Sequence, residues 1–170
     1  MAAEAWFGFV GVVLGSVTTS VLTVYKERIT AKRDITVRDQ QYERDRKTAR
    51  DSFQRDSILA LQSAVRDLIN AADQELNRIY SEYERTNRWP ARQWETPAAA
   101  GWEDAHLRLE EFAARVFDAD LRSLAHKIND AAYHSIWAES PESCKKAYEP
   151  IHPLRLQFQQ RVTDALPSLY

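Results

Sequence analysis

Cysteine, glycine and proline are scarce in this chain. A single cysteine, Cys144, makes no internal disulfide, which excludes a disulfide-stapled secreted scaffold and suits a reducing compartment. Four glycines and six prolines in 170 residues leave a composition that favours helices throughout. There is no repeat and no low-complexity tract. No Gly-rich phosphate loop, H-E-x-x-H, C-x-x-C or nucleophile elbow occurs, so catalysis has no constellation to rest on and no cofactor is expected. Charge of one sign is also missing: 23 Lys+Arg stand against 25 Asp+Glu, and the basic residues are too mixed with acids to form a nucleic-acid patch. Long apolar runs are absent with one exception.

The exception is "WFGFVGVVLGSVTTSVLTVY", Trp6 to Tyr25, in which every residue is apolar, Gly, Ser or Thr. As a helix it spans about 30 Å, the hydrocarbon thickness of a bilayer. A secretory signal would need cations before the run and a small-x-small site after it. Here only Glu4 precedes the run, and the cations (Lys26, Arg28, Lys32, Arg33 and Arg38) follow it. Val and Thr are also strand residues, but no second strand-like run is available as a partner. A buried soluble helix would show a polar face, and this one offers only hydroxyls, which can bond back to their own backbone. The expectation is a transmembrane anchor over residues 1–25, with Trp6 and Tyr25 at the headgroups. The basic flank lies on the cytoplasmic side and about five residues lie outside. Lys26, Arg28, Lys32 and Arg33 then meet anionic headgroups, each contributing about 1 kcal/mol. Gly8, Gly11, Gly15 and Thr19 place small residues along one face, which allows close helix–helix packing in lipid. Glycine is also simply frequent in spanning helices.

Residues 26–56 hold ten basic and seven acidic side chains, and residues 57–170 thirteen and seventeen, so the halves carry net +3 and −4. The first segment reads as a charged helical stalk. Asp34–Arg38, Glu43–Lys47 and Asp51–Arg55 are acid-before-base pairs at i,i+4, each adding about 0.2–0.5 kcal/mol. Ile35, Tyr42 and Ala49 at intervals of seven hint at a thin coiled-coil seam, while a solvated spacer helix explains the segment equally well. From Ile58 the pattern sharpens. Ile58, Leu61, Val65, Leu68, Ala72, Leu76, Ile79 and Tyr83 follow at steps of three and four, a sustained helical stripe. No proline interrupts residues 26–89, which predicts a helix of about 60 residues, about 90 Å long.

"TNRWPARQWETPAAAGW", Thr86 to Trp102, cannot continue that helix past Pro90, Pro97 and Gly101. Its three tryptophans, Trp89, Trp94 and Trp102, either fold back to cap a bundle or form a partner-docking loop. Trp102, Ala105, Leu109, Phe112 and Val116, then Phe117, Leu121, Leu124, Ile128 and Ala131, predict a second long helix ending near Ala138. Ser140-Pro141-Glu142 starts a third, broken or kinked at Glu149-Pro150. The fold class expected is all-α: an anchor, a stalk, and over 57–170 a cytoplasmic antiparallel helical hairpin or three-helix bundle. The second long helix folds back on the stripe within one chain, so any homodimer is held only weakly by anchor and stalk.

Three titratable residues, His126, Asp130 and His134, recur at i, i+4 and i+8, a donor set suited to a divalent ion. A strict four-step drifts about 40° per interval on a helix, so a solvated face and no metal is the expectation; His106 with Glu110 is a weaker pair of the same kind. Cys144, in the first turn of the third helix, is placed where a helix dipole can lower a thiol pKa, but a structural free thiol is the default reading.

The anchor running directly into "VYKERITAKRD" resembles that of uncharacterised small bacterial single-span membrane proteins, in which a Gly/Val/Thr-rich span leads into an Arg/Glu-rich helix. That resemblance covers about the first forty residues and implies no activity. The layout also resembles the b subunit of ATP synthase, from which the Trp/Pro loop and the folded-back helices depart. These features predict a single-pass protein of the cytoplasmic (inner) membrane whose helical domain binds an unidentified cytoplasmic protein, without catalysis and without nucleic acid. The alternative is a membrane-perturbing effector, holin-like or toxin-like, acting through the hydroxyl-rich span; a membrane-tethered metal enzyme would need the His126 set to converge.

Overall fold

The structure, a computed structural model, describes residues 2–90 and 97–169; the side chains of 1–25, 27–29, 31, 32, 35 and 97–99 lie outside that description. The chain is helical: α1 (Ala2–Thr86), α2 (Pro97–Ala113), α3 (Ala119–Ile136), α4 (Pro141–Tyr148), α5 (Ile151–Ala165) and a short 3-10 helix (Leu166–Leu169). No strand occurs among the described residues. Two compact units divide it, Met1–Ala49 and Arg50–Tyr170.

In the first unit every residue from 36 to 49 is exposed, including Val37 and Tyr42. Tyr42 and Ala49 of the expected seam are exposed among the described residues, and Ile35 lies outside the described side chains. Among the described residues no helix is long and apolar enough to cross a membrane. The expected anchor, residues 6–25, falls on side chains outside the description.

The second unit is a four-helix bundle. The α1 stripe is buried as its spacing requires: Ile58, Leu61, Val65, Leu68, Ala72, Leu76 and Ile79 are all core residues. Each fully buried Leu or Ile contributes about 1.5–3 kcal/mol. The end of α1 is closed by Asn87, whose φ of 50° lies in the left-handed region that Asn tolerates, with its N–H bonded to the Tyr83 carbonyl at 2.8 Å.

The expected single helix from Trp102 to Ala138 is two helices, α2 and α3, joined by a sharp reversal over 114–118. Three side chains make that break. Gln54, buried on α1, donates to the Arg115 carbonyl at 3.0 Å and accepts from the Phe117 N–H at 2.7 Å. Arg122 donates to the Phe117 carbonyl at 3.1 Å. Asp118 caps α3, accepting from the N–H groups of Asp120 and Leu121 at 3.0 Å. The backbone groups that a continuous helix would pair internally are thus satisfied from outside it. Val116 is fully buried at the reversal, while Phe117 turns outward against Arg50, 5.3 Å from its ring centroid.

Because of that reversal, the hairpin or three-helix expectation is replaced by an up-down-up-down order. His106 meets Asn129 and Glu110 meets His126, so α2 and α3 are antiparallel. Gln54 lies by the start of α3 and Trp89 by its end, where the indole N–H donates to the Ala138 carbonyl at 2.8 Å, so α1 and α3 run parallel. Helices α4 and α5 return beside α1, and α3 packs against α2, α4 and α5. Ser140 caps α4 through a capping box in which Ser143 takes the role usually filled by Glu or Gln. The sequence break falls at Glu149–Pro150, between α4 and α5.

Asp118 also yields a pH test. Burial pushes its carboxyl up, but the Leu121 N–H, the Arg161 guanidinium at 2.8 Å and the Asp120 N–H outweigh it and hold it below the ordinary 3.8. A depressed folded value means the contribution is complete above the unfolded pKa and lost as pH falls through the folded one. Asp118→Ala should cost about 1 kcal/mol at neutral pH. Its deficit against the parent should shrink on acidification below about pH 4 in denaturation titrations; a deficit constant through that window would contradict the assignment.

Candidate functional site

Side chains on one face of α1, Leu59, Gln62, Arg66, Asn70, Asp73 and Asn77, follow at steps of three and four beside the buried stripe. That face borders two concavities in succession, one against α5 and one against α4. The first has a volume of about 370 Å³. Buried Val65, Ile69 and Phe158 form its floor, and Leu59 remains 45% exposed at its wall. Arg66 and Arg155 stand at its rim, and no acidic residue lines it. The second, about 390 Å³, lies among Asp73, Tyr80, Cys144, Lys145 and Tyr148. From Leu59 to Tyr80 the face runs about 32 Å along α1.

Two polar contacts tie α4 to α1 in the second concavity. The Tyr148 hydroxyl donates to Asp73 in a short hydrogen bond. Burial, then the Asp73 carboxylate, push the Tyr148 phenol up to about 12. Tyr80 faces the Cys144 thiol in the same concavity, and burial, then that thiol, push the Tyr80 phenol up to about 12 as well.

Cys144 is a buried free thiol. Although α4 starts just before it, burial pushes its thiol up, and only the Tyr80 phenol acts in the opposite direction. A buried thiol of raised pKa beside a phenol is a poor nucleophile. Labelling of the folded chain by a thiol reagent at neutral pH should therefore be slower than that of an unfolded peptide by about a hundredfold or more, following opening of the bundle. Immediate stoichiometric labelling would show the thiol to be accessible.

The other residues singled out by sequence fall as follows. Trp89 packs edge-on to Tyr80 and Tyr83, with ring centroids 5.4 and 5.6 Å away. Trp102 is buried and stacks on His106 at 5.3 Å with an interplanar angle of 7°. Both are engaged in packing within the chain; Trp94 lies outside the described residues. His126 does not converge with Asp130 and His134. Its Nδ1 lies 3.2 Å from Glu110, and His134 meets the edge of the Tyr133 ring. Among the described residues no group of three His, Cys, Asp or Glu is disposed to hold a metal. Gly8, Gly11, Gly15, Thr19, Trp6, Tyr25, Arg28 and Lys32 fall on side chains outside the description, while Lys26 and Arg33 are exposed.

Sequence reasoning missed Arg66, Arg155 and the Tyr80–Cys144 and Asp73–Tyr148 pairs. Leu59 carried a readable signal, since it is a large apolar residue one position off the stripe. No protein-family model, curated protein or solved structure matches this chain.

Proposed function

We propose that this chain is a single-span protein of the cytoplasmic membrane whose cytoplasmic four-helix bundle serves as an interaction module without catalysis of its own. The observation that carries the reading is the uncharged run from Trp6 to Tyr25 abutting Lys26, Arg28, Lys32 and Arg33. Its length and one-sided basic flank meet the requirements for a span with the bundle inside. Two features of the bundle support the second half. The aromatic and apolar residues of α1 to α5 are mostly engaged in packing, while the α1 face beside the stripe leaves a partly apolar, basic-rimmed concavity open. Catalytic chemistry has no support in the second concavity, whose thiol is paired with a phenol rather than a base.

Alkaline carbonate extraction of membranes from cells expressing the chain tests the anchor. The protein should stay in the pellet, and its release into the supernatant would remove the membrane reading. Induced expression with a membrane-potential dye should leave the potential unchanged; rapid depolarisation would put a membrane-perturbing effector in its place.

A further inference from the structure

We infer that the face of α1 between Leu59 and Asn77, together with α5 and α4, is a docking trough for an acidic amphipathic helix of a partner protein. The inference deepens the reading of the bundle as an interaction module and names the chemistry of what it binds.

Shape is the first argument. The trough follows α1 for about 27 Å from Leu59 to Asn77 and has helices as both walls, the geometry in which a further helix packs by inserting ridges into grooves. Its upper half is floored by Val65, Ile69 and Phe158 and walled by half-exposed Leu59. That is the anchor pocket a helix reads with residues at i, i+3, i+4 and i+7.

Charge decides the occupant. Residues 57–170 carry net −4, yet no acid lines the upper concavity and both ionic groups there are arginines. Arg66 is 71% exposed at its side chain; it donates to Ser63 at 3.1 Å and lies 3.9 Å from Asp67, a loose pair. A guanidinium so placed is free to form a bidentate pair with an incoming carboxylate. Further along, Lys145 adds a third cation, and Asp73, the acid on this side, already accepts from Tyr148. A local cationic rim on a domain of opposite net charge steers acidic partners to this face and away from the rest. A basic helix would meet Arg66 and Arg155 with like charge.

The test uses the full chain in zwitterionic nanodiscs, or free in buffer if carbonate releases it. The probe is a displayed library of helical peptides of about sixteen residues, long enough for about 24 Å, with a fixed Leu stripe and flanking positions randomised among Asp, Glu, Lys and Ser. Recovered peptides should place Asp or Glu beside the stripe. They should bind the Arg66→Glu/Arg155→Glu chain at least tenfold more weakly, and Leu59→Asp similarly, while Arg108→Glu on α2 leaves binding unchanged. Unaltered circular dichroism melts of the variants separate this from misfolding. Basic or neutral winners, no enrichment, or binding indifferent to the double variant would overturn the inference and leave the anchor untouched. Two other occupants would also overturn it. One is a concentration-dependent dimer in sedimentation that the double variant abolishes. The other is cosedimentation with phosphatidylserine vesicles that depends on the same two arginines.

Discussion

Phe158→Ala should cost about 3–5 kcal/mol, among the largest losses expected of a single substitution in the bundle. Phe158 is 1% exposed and is the bulkiest of the fully buried side chains. It lies at the floor of the trough, so truncation leaves a void that one open side only partly relieves. Net stabilities of domains this size are about 5–15 kcal/mol, so the variant loses about a fifth or more of what holds it folded. Leu156, two residues earlier on α5 and 51% exposed, is the control; Leu156→Ala should stay within about 0.5 kcal/mol of the parent. Denaturant titration of both measures the contrast. Equal losses would mean that α5 does not present Phe158 inward.

Gln54→Leu is the second large effect. The side chain is buried and bonds two backbone groups of the α2–α3 reversal, the Arg115 carbonyl and the Phe117 N–H. Leucine keeps the volume but leaves both groups without that partner inside the fold. At about 1–3 kcal/mol for each unsatisfied group, the loss is about 2–6 kcal/mol. Gln54→Glu is informative beside it. A carboxylate still accepts from Phe117 but has no donor for Arg115, so its loss at neutral pH should resemble that of Leu and lessen when acid restores a proton. A melt unchanged by either variant would show that the reversal holds without its clamp.

The α1 stripe was legible because its three- and four-step spacing is sustained over about seven turns, and seven of its eight positions, Ile58 to Ile79, are in the core while Tyr83 is partly buried. The break at 114–118 was not read, though a trace of it stands in the sequence. Val116 and Phe117 are adjacent, so the two apolar series cannot share one helical face without a slip. The reading joined them by treating both as core, whereas Val116 is fully buried and Phe117 is 56% exposed. Asp118, a good N-cap residue, marks the restart of the helix. What no local pattern holds is the partner: Gln54 reaches the reversal across 61 residues of chain. The trough was hidden for the same reason. Arg66 and Arg155 are ordinary surface arginines until α5 returns beside α1, and that return follows from counting α2 and α3 as two helices. The start of α4 was visible in Ser140-Pro141, while the cover over the Cys144 thiol, Tyr80 on α1, was not.

The order of the four helices also sets a schedule for synthesis. Asp73 on α1 finds Tyr148 on α4 across 75 residues. At about 5–20 residues per second, the stripe of α1 is made about 4–15 s before the helices that cover its last side exist. For that interval a nascent chain presents nine apolar core positions, from Ile58 to Ile79, to whatever is near the ribosome exit. Charged neighbours alternate with them along the helix, Arg66, Asp67, Asp73 and Arg78 among them. The same residues that line the finished bundle's surface thus keep its unfinished half in solution.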